Sequence, residues 1–495
     1  MRNQSLSQKI IKGSFLVVAL TFLSSVFSYL NRFFYSRVLS VEMYGLFYAG
    51  LGLVNTIWTF NDLGFGYSTT YLLPKYLKKN KYLLVWNVYK YGQIIQVTVS
   101  VLASLVIFLF ASDLANNYFK VPGSEIMIYM FCAYLVANSL LTSLIQFFIG
   151  AQKEIYYSSI VLSRTILVII FSIVFWYMGK TGATYFALAW AMSYFATAGV
   201  FLYFLRTKFS FLGKQKISWD SKLLKKMAGY ALPTIVTTLI GAVASSGDVF
   251  FLTLYRGVRD VGIYNIIFPL ASTSAMLLLP LSYLFMPLVS HLMEGEKKKV
   301  ELLVGKILEV VPFAVLYIAL FLSIFPSDSI RLLFGAKWLG VADKILGPLS
   351  MGYILSMAGA FLGTVVLGAG KVKERLNATI LVTIASVPVN MFLIKRFGIS
   401  GTVVSYIILS LFTLLMLLRI IKQVVAFTIP YTFYVKLFIG SLTIYIGFKT
   451  FGTGSLNLTT FLLTGVAYSV IYLFFGYVLR IYDIKTIKQL LGRTV

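Results

Sequence analysis

A few polar and charged side chains stand inside or at the edges of long apolar runs, and the chemistry open to this chain lies there. Arg164 is about ten residues into the run 155–178, roughly 15 Å along a helix at 1.5 Å per residue. From that depth its stem cannot easily carry the charge to water. An ionised group there costs about 2.5–3.5 kcal/mol on insertion, so it needs a cavity or a partner. A guanidinium offers parallel N–H donors that match a phosphate. The alternative is a structural arginine held by helix carbonyls or a carboxylate. Arg32, with Asn31 beside it, lies in the outer half of the run 13–36, where it either lines a cavity or snorkels outward. Asp62 follows Asn61 near the inner end of the run 45–72, and Asp248 lies near the outer end of the run 227–254. Either aspartate can pair with an arginine, hold a coupling cation or cap a helix. For Asp62 the sequence Asp-Leu-Gly-Phe-Gly favours a local helix break. Glu309 stands three residues after Lys306, on one helix face, which points to a local ion pair and leaves a coupling role as the alternative. Arg37 and Arg256 occupy equivalent outer turns and either meet an anionic head group or are solvated loop charge.

Other chemistries lack their residues. Cys132 is the only cysteine and His291 the only histidine. That excludes an intrachain disulfide, a His/Cys metal cluster, a Ser-His-Asp triad and a Cys-His pair. No Gly-rich loop ends in Lys-Ser or Lys-Thr, so direct use of ATP is not expected. No resident cofactor is expected.

The elements that must hold these residues are membrane helices. The chain has 495 residues, 59% hydrophobic and 12% charged, with a mean hydropathy of +0.87. A soluble domain is about half apolar and a quarter charged. Apolar runs fall at 13–36, 45–72, 83–110, 126–149, 155–178, 183–205, 227–254, 262–290, 302–325, 344–368, 376–394, 400–420, 431–449 and 458–479. That makes about 14 spanning helices, six before a basic stretch at 206–226 and eight after it. The class is an all-α membrane protein. The basic start of the chain, with Arg2, Lys9 and Lys12, resembles a signal peptide, but the run is long and no small-residue cleavage site follows; it reads as a retained first span.

The net charge of +27 comes from 43 Lys+Arg against 16 Asp+Glu. With the N-terminus inside, the inner loops collect Lys75 to Lys81, the cluster from Arg206 to Lys226 with Lys214, Lys297 to Lys299, Lys371 to Arg375, Arg419 and Lys422, and the tail Arg480, Lys485, Lys488 and Arg493. The outer loops hold fewer. This bias favours both termini in the cytoplasm, and an even helix count agrees, since it puts them on the same side. The clusters read as topology signals and contacts to anionic membrane lipids; no fold for nucleic acid is present to use them.

A weak internal repeat relates the two halves. "RVLSVEMYGLFYAG" at 37–50 matches "RGVRDVGIYNIIFPL" at 256–270, so Tyr44 corresponds to Tyr264 and Asn31 falls opposite Asp248. Gly13 and Gly229 open the two leading helices. Both linkers lie on one side of the membrane, so the repeat is parallel, an arrangement of transporters with their site between the halves. Prolines within spans, Pro233, Pro269, Pro280, Pro287, Pro312 and Pro388, permit kinks.

The chain resembles the multidrug/oligosaccharidyl-lipid/polysaccharide exporter superfamily, and within it the flippases of lipid-linked oligosaccharides. The resemblance covers most of the chain and rests on "RVLSVEMYGLF", "NDLGFGYSTTYLLPKYL" at 61–77, "GDVFFLTLYRGVRDVGIYN" at 247–265, "SIRLLFGAKW" at 329–338 and "KRFGISGTVVSYII" at 395–408. It implies two six-helix lobes around a central cavity plus two C-terminal helices. The expected division is residues 1–205, a linker at 206–226, 227–422, and the extra helices with a basic tail at 423–495. It further implies a plasma-membrane flippase, not an enzyme, that carries a polyprenyl-(pyro)phosphate-linked oligosaccharide outward by alternating access. Arg164, Arg32, Asn31, Arg37 and Arg256 would then be substrate-binding. Asp62, Asp248 and Glu309 would serve Na+ or H+ coupling or charge pairing, with the membrane potential as the other source of drive. Partners would be the lipid-linked glycan, membrane lipids, and glycosyltransferases or a polymerase of the same pathway. Two readings compete: a cation-coupled multidrug antiporter of the same fold, which needs more cavity carboxylates, and a membrane glycan polymerase or ligase, which needs a larger outer loop or paired carboxylates.

Overall fold

A computed structural model describes residues 6–209, 215–282, 285–451 and 456–481. Arg2, Lys214, Lys485, Lys488 and Arg493 fall outside these, as do the side chains of residues 6–16 and of Pro233 and Pro280. The described residues form helices and no strand. They gather into two compact units, Met1–Gly262 and Ile263–Val495.

The first unit holds α1 (Leu6–Val38), α2 (Val41–Trp58), α3 (Phe65–Lys78), α4 (Tyr82–Leu109), α5 (Glu125–Gly150), α6 (Glu154–Tyr177), α7 (Ala183–Lys208) and α8 (Ser221–Arg256). Its core is α5, which packs on α2, α3, α4, α6 and α7. The α5 face toward these neighbours is Phe131, Leu135, Leu141, Leu144, Phe147 and Phe148, all buried. Helix α8 packs on α2, α3 and α4. Ser40 caps α2 by accepting from the Met43 N–H at 3.1 Å, and Asp220 caps α8 through the Leu223 N–H at 3.0 Å.

α9 (Val258–Ala271) begins in the first unit and continues into the second. The second unit goes on through α10 (Thr273–Ser282), α11 (Phe285–Met293), α12 (Lys297–Ile324), α13 (Pro326–Leu333), α14 (Ala342–Gly368), α15 (Val372–Phe397), α16 (Ile399–Lys422), α17 (Tyr431–Phe451) and α18 (Leu458–Val478). Here α14 takes the central place that α5 has in the first unit, packing on α10, α11, α12, α15 and α16. The C-terminal helices α17 and α18 pack on α12.

Each of the fourteen apolar runs falls on one or more of these helices. Nine helical stretches among the described residues are long and apolar enough to cross a bilayer, one of them 372–422 with both α15 and α16. These nine stretches do not by themselves establish a count of fourteen spans. The run 45–72 is divided at residues 59–64, where Leu63 (φ 43°) and Gly64 (φ 77°) both enter the left-handed region, and the run 262–290, with three prolines, has a turn at Ser272 between α9 and α10.

The internal repeat has a physical counterpart inside the first unit. The opening turns of α2 and α9 cross at glycines: a Cβ on Gly45 would lie 1.8 Å from the Val258 carbonyl oxygen, and one on Gly262 would lie 2.7 Å from the Val41 carbonyl oxygen. The two contacts are reciprocal, each glycine lying under the carbonyl four residues before its opposite number. A second echo joins α5 to α6 and α14 to α15. Both junctions read Gly-Ala-X-Lys, and X is left-handed in each, Gln152 at φ 55° and Gly370 at φ 78°. Under that register Arg164 corresponds to Val382, so the deep cation belongs to the first unit only.

Candidate functional site: an aromatic wall with two arginines

Arg32 on α1 and Arg164 on α6 both lie against the aromatic interior of the first unit. The Arg32 guanidinium carbon is 4.8 Å from the centroid of the Tyr48 ring, and that of Arg164 is 5.2 Å from the Tyr194 ring. A cation over a π face is held by the ring quadrupole at little cost to its donors. Between the two arginines the rings form a continuous path. Tyr48 meets Phe47 at 5.2 Å, Phe47 meets Trp190 at 5.8 Å, and Trp190 stacks with Tyr194 at 6.1 Å. Tyr134 joins from α5, 4.8 Å from Tyr194.

Hydrogen bonds fix these rings in place. The Tyr134 hydroxyl donates to Asn55 Oδ1 at 3.2 Å. Asn138 Nδ2 donates to the Tyr134 oxygen at 3.4 Å. Trp190 Nε1 donates to the Tyr35 oxygen at 3.2 Å, and Tyr35 shares a 2.6 Å bond with Ser172. Buried hydroxyls and indoles need such partners, and once satisfied they hold a ring to one orientation. Asn31, buried one residue before Arg32, has a side-chain oxygen with no hydrogen-bond donor among the described residues. Among the described residues no carboxylate lies within ion-pair distance of Arg164. Among the described residues its charge thus faces the Tyr194 ring and no carboxylate, and its N–H donors remain available to an anion.

The other expected residues separate from this wall. Arg37 and Arg256 are exposed at the ends of α1 and α8. Asp62 holds the α2–α3 break: its Oδ1 accepts the Gly64 N–H at 2.8 Å, and its Oδ2 faces Gln146 Nε2 at 3.4 Å. Asp248 Oδ1 accepts from the N–H of Val249 at 2.7 Å. Glu309 pairs with Lys306 at 2.8 Å on α12. The structure thus brings Asn31, Arg32 and Arg164 to one aromatic wall and leaves Arg37 and Arg256 at exposed helix ends. Among the described residues no group of three His, Cys, Asp or Glu is placed to hold a metal.

Tyr48, Tyr134, Trp190, Tyr194, Asn55 and Asn138 are parts of the site that charge-in-span reasoning does not reach. A weak signal exists: Trp190 and Tyr194, and Tyr134 and Asn138, recur at four-residue spacing on otherwise small or aliphatic helix faces.

Residues 10–293 match the family of polysaccharide biosynthesis proteins, more than half of the chain. The chain belongs to that family. A curated relative, an uncharacterized membrane protein of Methanocaldococcus jannaschii, is 25% identical over 441 residues, covering 85% of this chain and 86% of its own. The fold is similar to that of the lipid II flippase MurJ in an inward closed conformation, with a TM-score of 0.71 at 15% identity over 94% of this chain and 98% of that one. It is also similar to an inward-facing multidrug resistance MATE transporter of the MOP superfamily, with a TM-score of 0.67 at 14% identity over 83% of this chain and 98% of that one. The protein is a multi-pass membrane protein with the fold of that superfamily.

Proposed function

We propose that this protein is a flippase of the cell membrane that moves a polyprenyl-(pyro)phosphate-linked oligosaccharide from the inner to the outer leaflet. The observation that carries the reading is Arg164: a guanidinium deep in a membrane helix, held on a tyrosine face, with no carboxylate beside it among the described residues. Such a group is complementary to a phosphate and wasted on a cationic drug. Rings and amides next to it suit a sugar, whose apolar faces stack and whose hydroxyls need donors and acceptors. The family's role in polysaccharide biosynthesis and the flippase among its structural likenesses support the same substrate class.

In this reading the head group enters a cationic cavity lined by Arg32 and Arg164 while the lipid tail stays in the bilayer. Both termini are cytoplasmic, and the basic inner loops face anionic lipid. Outward transfer of each negative charge gains about 2.3 kcal/mol per 100 mV of inside-negative potential. Enzymes that build or polymerise the glycan are the natural partners.

The test is flipping in proteoliposomes of a short-chain polyprenyl-pyrophosphate oligosaccharide, read by a membrane-impermeant glycosidase. Protein-dependent exposure of the glycan that falls in Arg164→Ala is the expected result. Absence of flipping across several glycans, with efflux of a cationic dye instead, would overturn the reading in favour of a multidrug antiporter.

A further inference from the structure

The stretch 215–220, which leads into α8, is not helical, and α4 holds its last residues by side chains. Asn87 Nδ2 donates to Ser218 Oγ at 2.9 Å, and Asn87 Oδ1 accepts the Ser218 N–H at 3.3 Å. The Tyr91 hydroxyl donates to the Ser218 carbonyl and accepts the Asp220 N–H at 2.7 Å. The Trp219 ring lies 5.6 Å from that of Tyr91. Asn87 and Tyr91 are both buried, and four residues apart they share one face of α4. Directly after this strap, Leu223 and Met227 of α8 are buried against Leu72 of α3 and against Val88 and Tyr91 of α4.

This fastening is of a kind that can open. Its bonds join side chains of α4 to a non-helical segment, so water can replace each of them without unwinding a helix. The apolar cluster beneath is small. Farther along α8, Pro233 has no N–H to bond the Gly229 carbonyl, which puts a point of easy bending about two to three turns beyond the strap. The internal repeat also makes α8 the counterpart of α1, the leading helix of the second half, yet its first turns are packed on α3 and α4. Halves that rock against each other during transport have to break that contact.

We propose that residues 218–220 are a latch. Bound to Asn87 and Tyr91, they hold the first turns of α8 on α3 and α4; released, they let that part of α8 swing about residues 229–233 and open the first unit at its linker end. That end is cytoplasmic in the proposed topology, so the latched state is the one closed to the leaflet where a glycolipid would load. The latch's role in transport rests on the flippase reading, but latching itself does not.

The first test needs no glycolipid. Val88 is fully buried in the cluster with Leu223 and Met227, so Val88→Cys in a Cys132→Ala background reports the latch by its rate of reaction with a maleimide in the purified full-length protein. Tyr91→Phe keeps the ring and removes both hydroxyl bonds; it should speed this labelling by about tenfold or more. Asn87→Ala, which removes only the side-chain bonds to Ser218, should speed it less. The native Cys132, buried in α5, is the control, and its labelling should stay slow in Tyr91→Phe. No acceleration at Val88→Cys in either variant, or equal acceleration at Cys132, overturns the latch.

The second test locks it. Asn87→Cys with Ser218→Cys, again in Cys132→Ala, should form a disulfide on oxidation; absence of the cross-link denies the contact. In proteoliposomes the oxidised protein should not flip the glycolipid and the reduced protein should. Equal flipping in both forms overturns the latch as a gate. If neither form flips while Val88→Cys labelling still responds to Tyr91→Phe, the latch stands and the glycolipid reading fails.

Discussion

The Tyr434 hydroxyl donates to the backbone carbonyl of Leu308 at 2.7 Å, and that carbonyl is the one Pro312 deprives of its helical partner. Proline has no N–H, so the oxygen four residues earlier in α12 loses its bond. In a bilayer no water replaces it. Helix α17 supplies the missing donor. Farther along α12, Tyr472 donates to the Phe313 carbonyl at 2.7 Å and Tyr468 to the Tyr317 carbonyl at 2.6 Å, both from α18. The two C-terminal helices are thus fastened to α12 by hydroxyls as well as by the Phe313, Leu316 and Leu320 surface they cover.

Tyr434→Phe keeps the ring and removes the donor. It should lower the stability of the second unit by about 1–3 kcal/mol, the cost of a buried polar group left unsatisfied. Thermal unfolding in detergent reads the loss. A Pro312→Ala background restores the helical N–H and should shrink the effect of Tyr434→Phe; equal losses in both backgrounds would show that the hydroxyl does not serve the proline gap.

Glycine at the α2–α9 crossing is a matter of backbone contact. The atoms a methyl at Gly45 would strike are the Val258 carbonyl and the Gly262 nitrogen, which cannot swing aside as a side chain can. Gly45→Ala should therefore cost about 1–3 kcal/mol of stability by overpacking. Gly241→Ala in α8, where nothing among the described residues lies within 4 Å, should be neutral or slightly stabilising. Melting temperatures of the two variants that fall together would refute the crossing as a close contact.

The spacing of charges and breaks made part of this architecture readable in advance. Arg164 announces itself because a lone guanidinium in an apolar run has few explanations. The break at Asn61-Asp62-Leu63-Gly64 is legible because aspartate and glycine are the residues a left-handed turn requires. The aromatic partners are not: Tyr48 and Tyr194 are two of 33 tyrosines, and no local pattern says which rings face a cation. Tyr434 and Leu308 are 126 positions apart, and Asn87 and Ser218 are 131 apart. Their significance appears only when packing brings them together. The turn at Ser272 within 262–290 was signalled by the run's prolines, but where a proline-rich run turns is decided by the neighbours that satisfy its carbonyls.

Lys306 and Glu309 make the local pair their spacing predicts, each about a quarter exposed. A pair of this kind on one helix is worth only about 0.2–0.5 kcal/mol in isolation. Glu309→Gln should leave flipping and its response to Na+ within about twofold of wild type. A collapse of transport in this variant, with the fold intact, would make Glu309 a coupling group after all.

Arg164 is the substitution that separates binding chemistry from charge. If its two parallel donors grip a phosphate, Arg164→Lys keeps the charge and loses the fork. A charge-assisted hydrogen bond is worth about 1.5–3 kcal/mol, so Arg164→Ala should slow flipping by about tenfold to a hundredfold. Arg164→Lys should recover only part of that, and Tyr194→Leu, which removes the ring beneath the guanidinium, should fall between them. A lysine that restores full activity would mean the site needs positive potential and no particular geometry. An alanine as active as wild type would place the phosphate elsewhere in the protein.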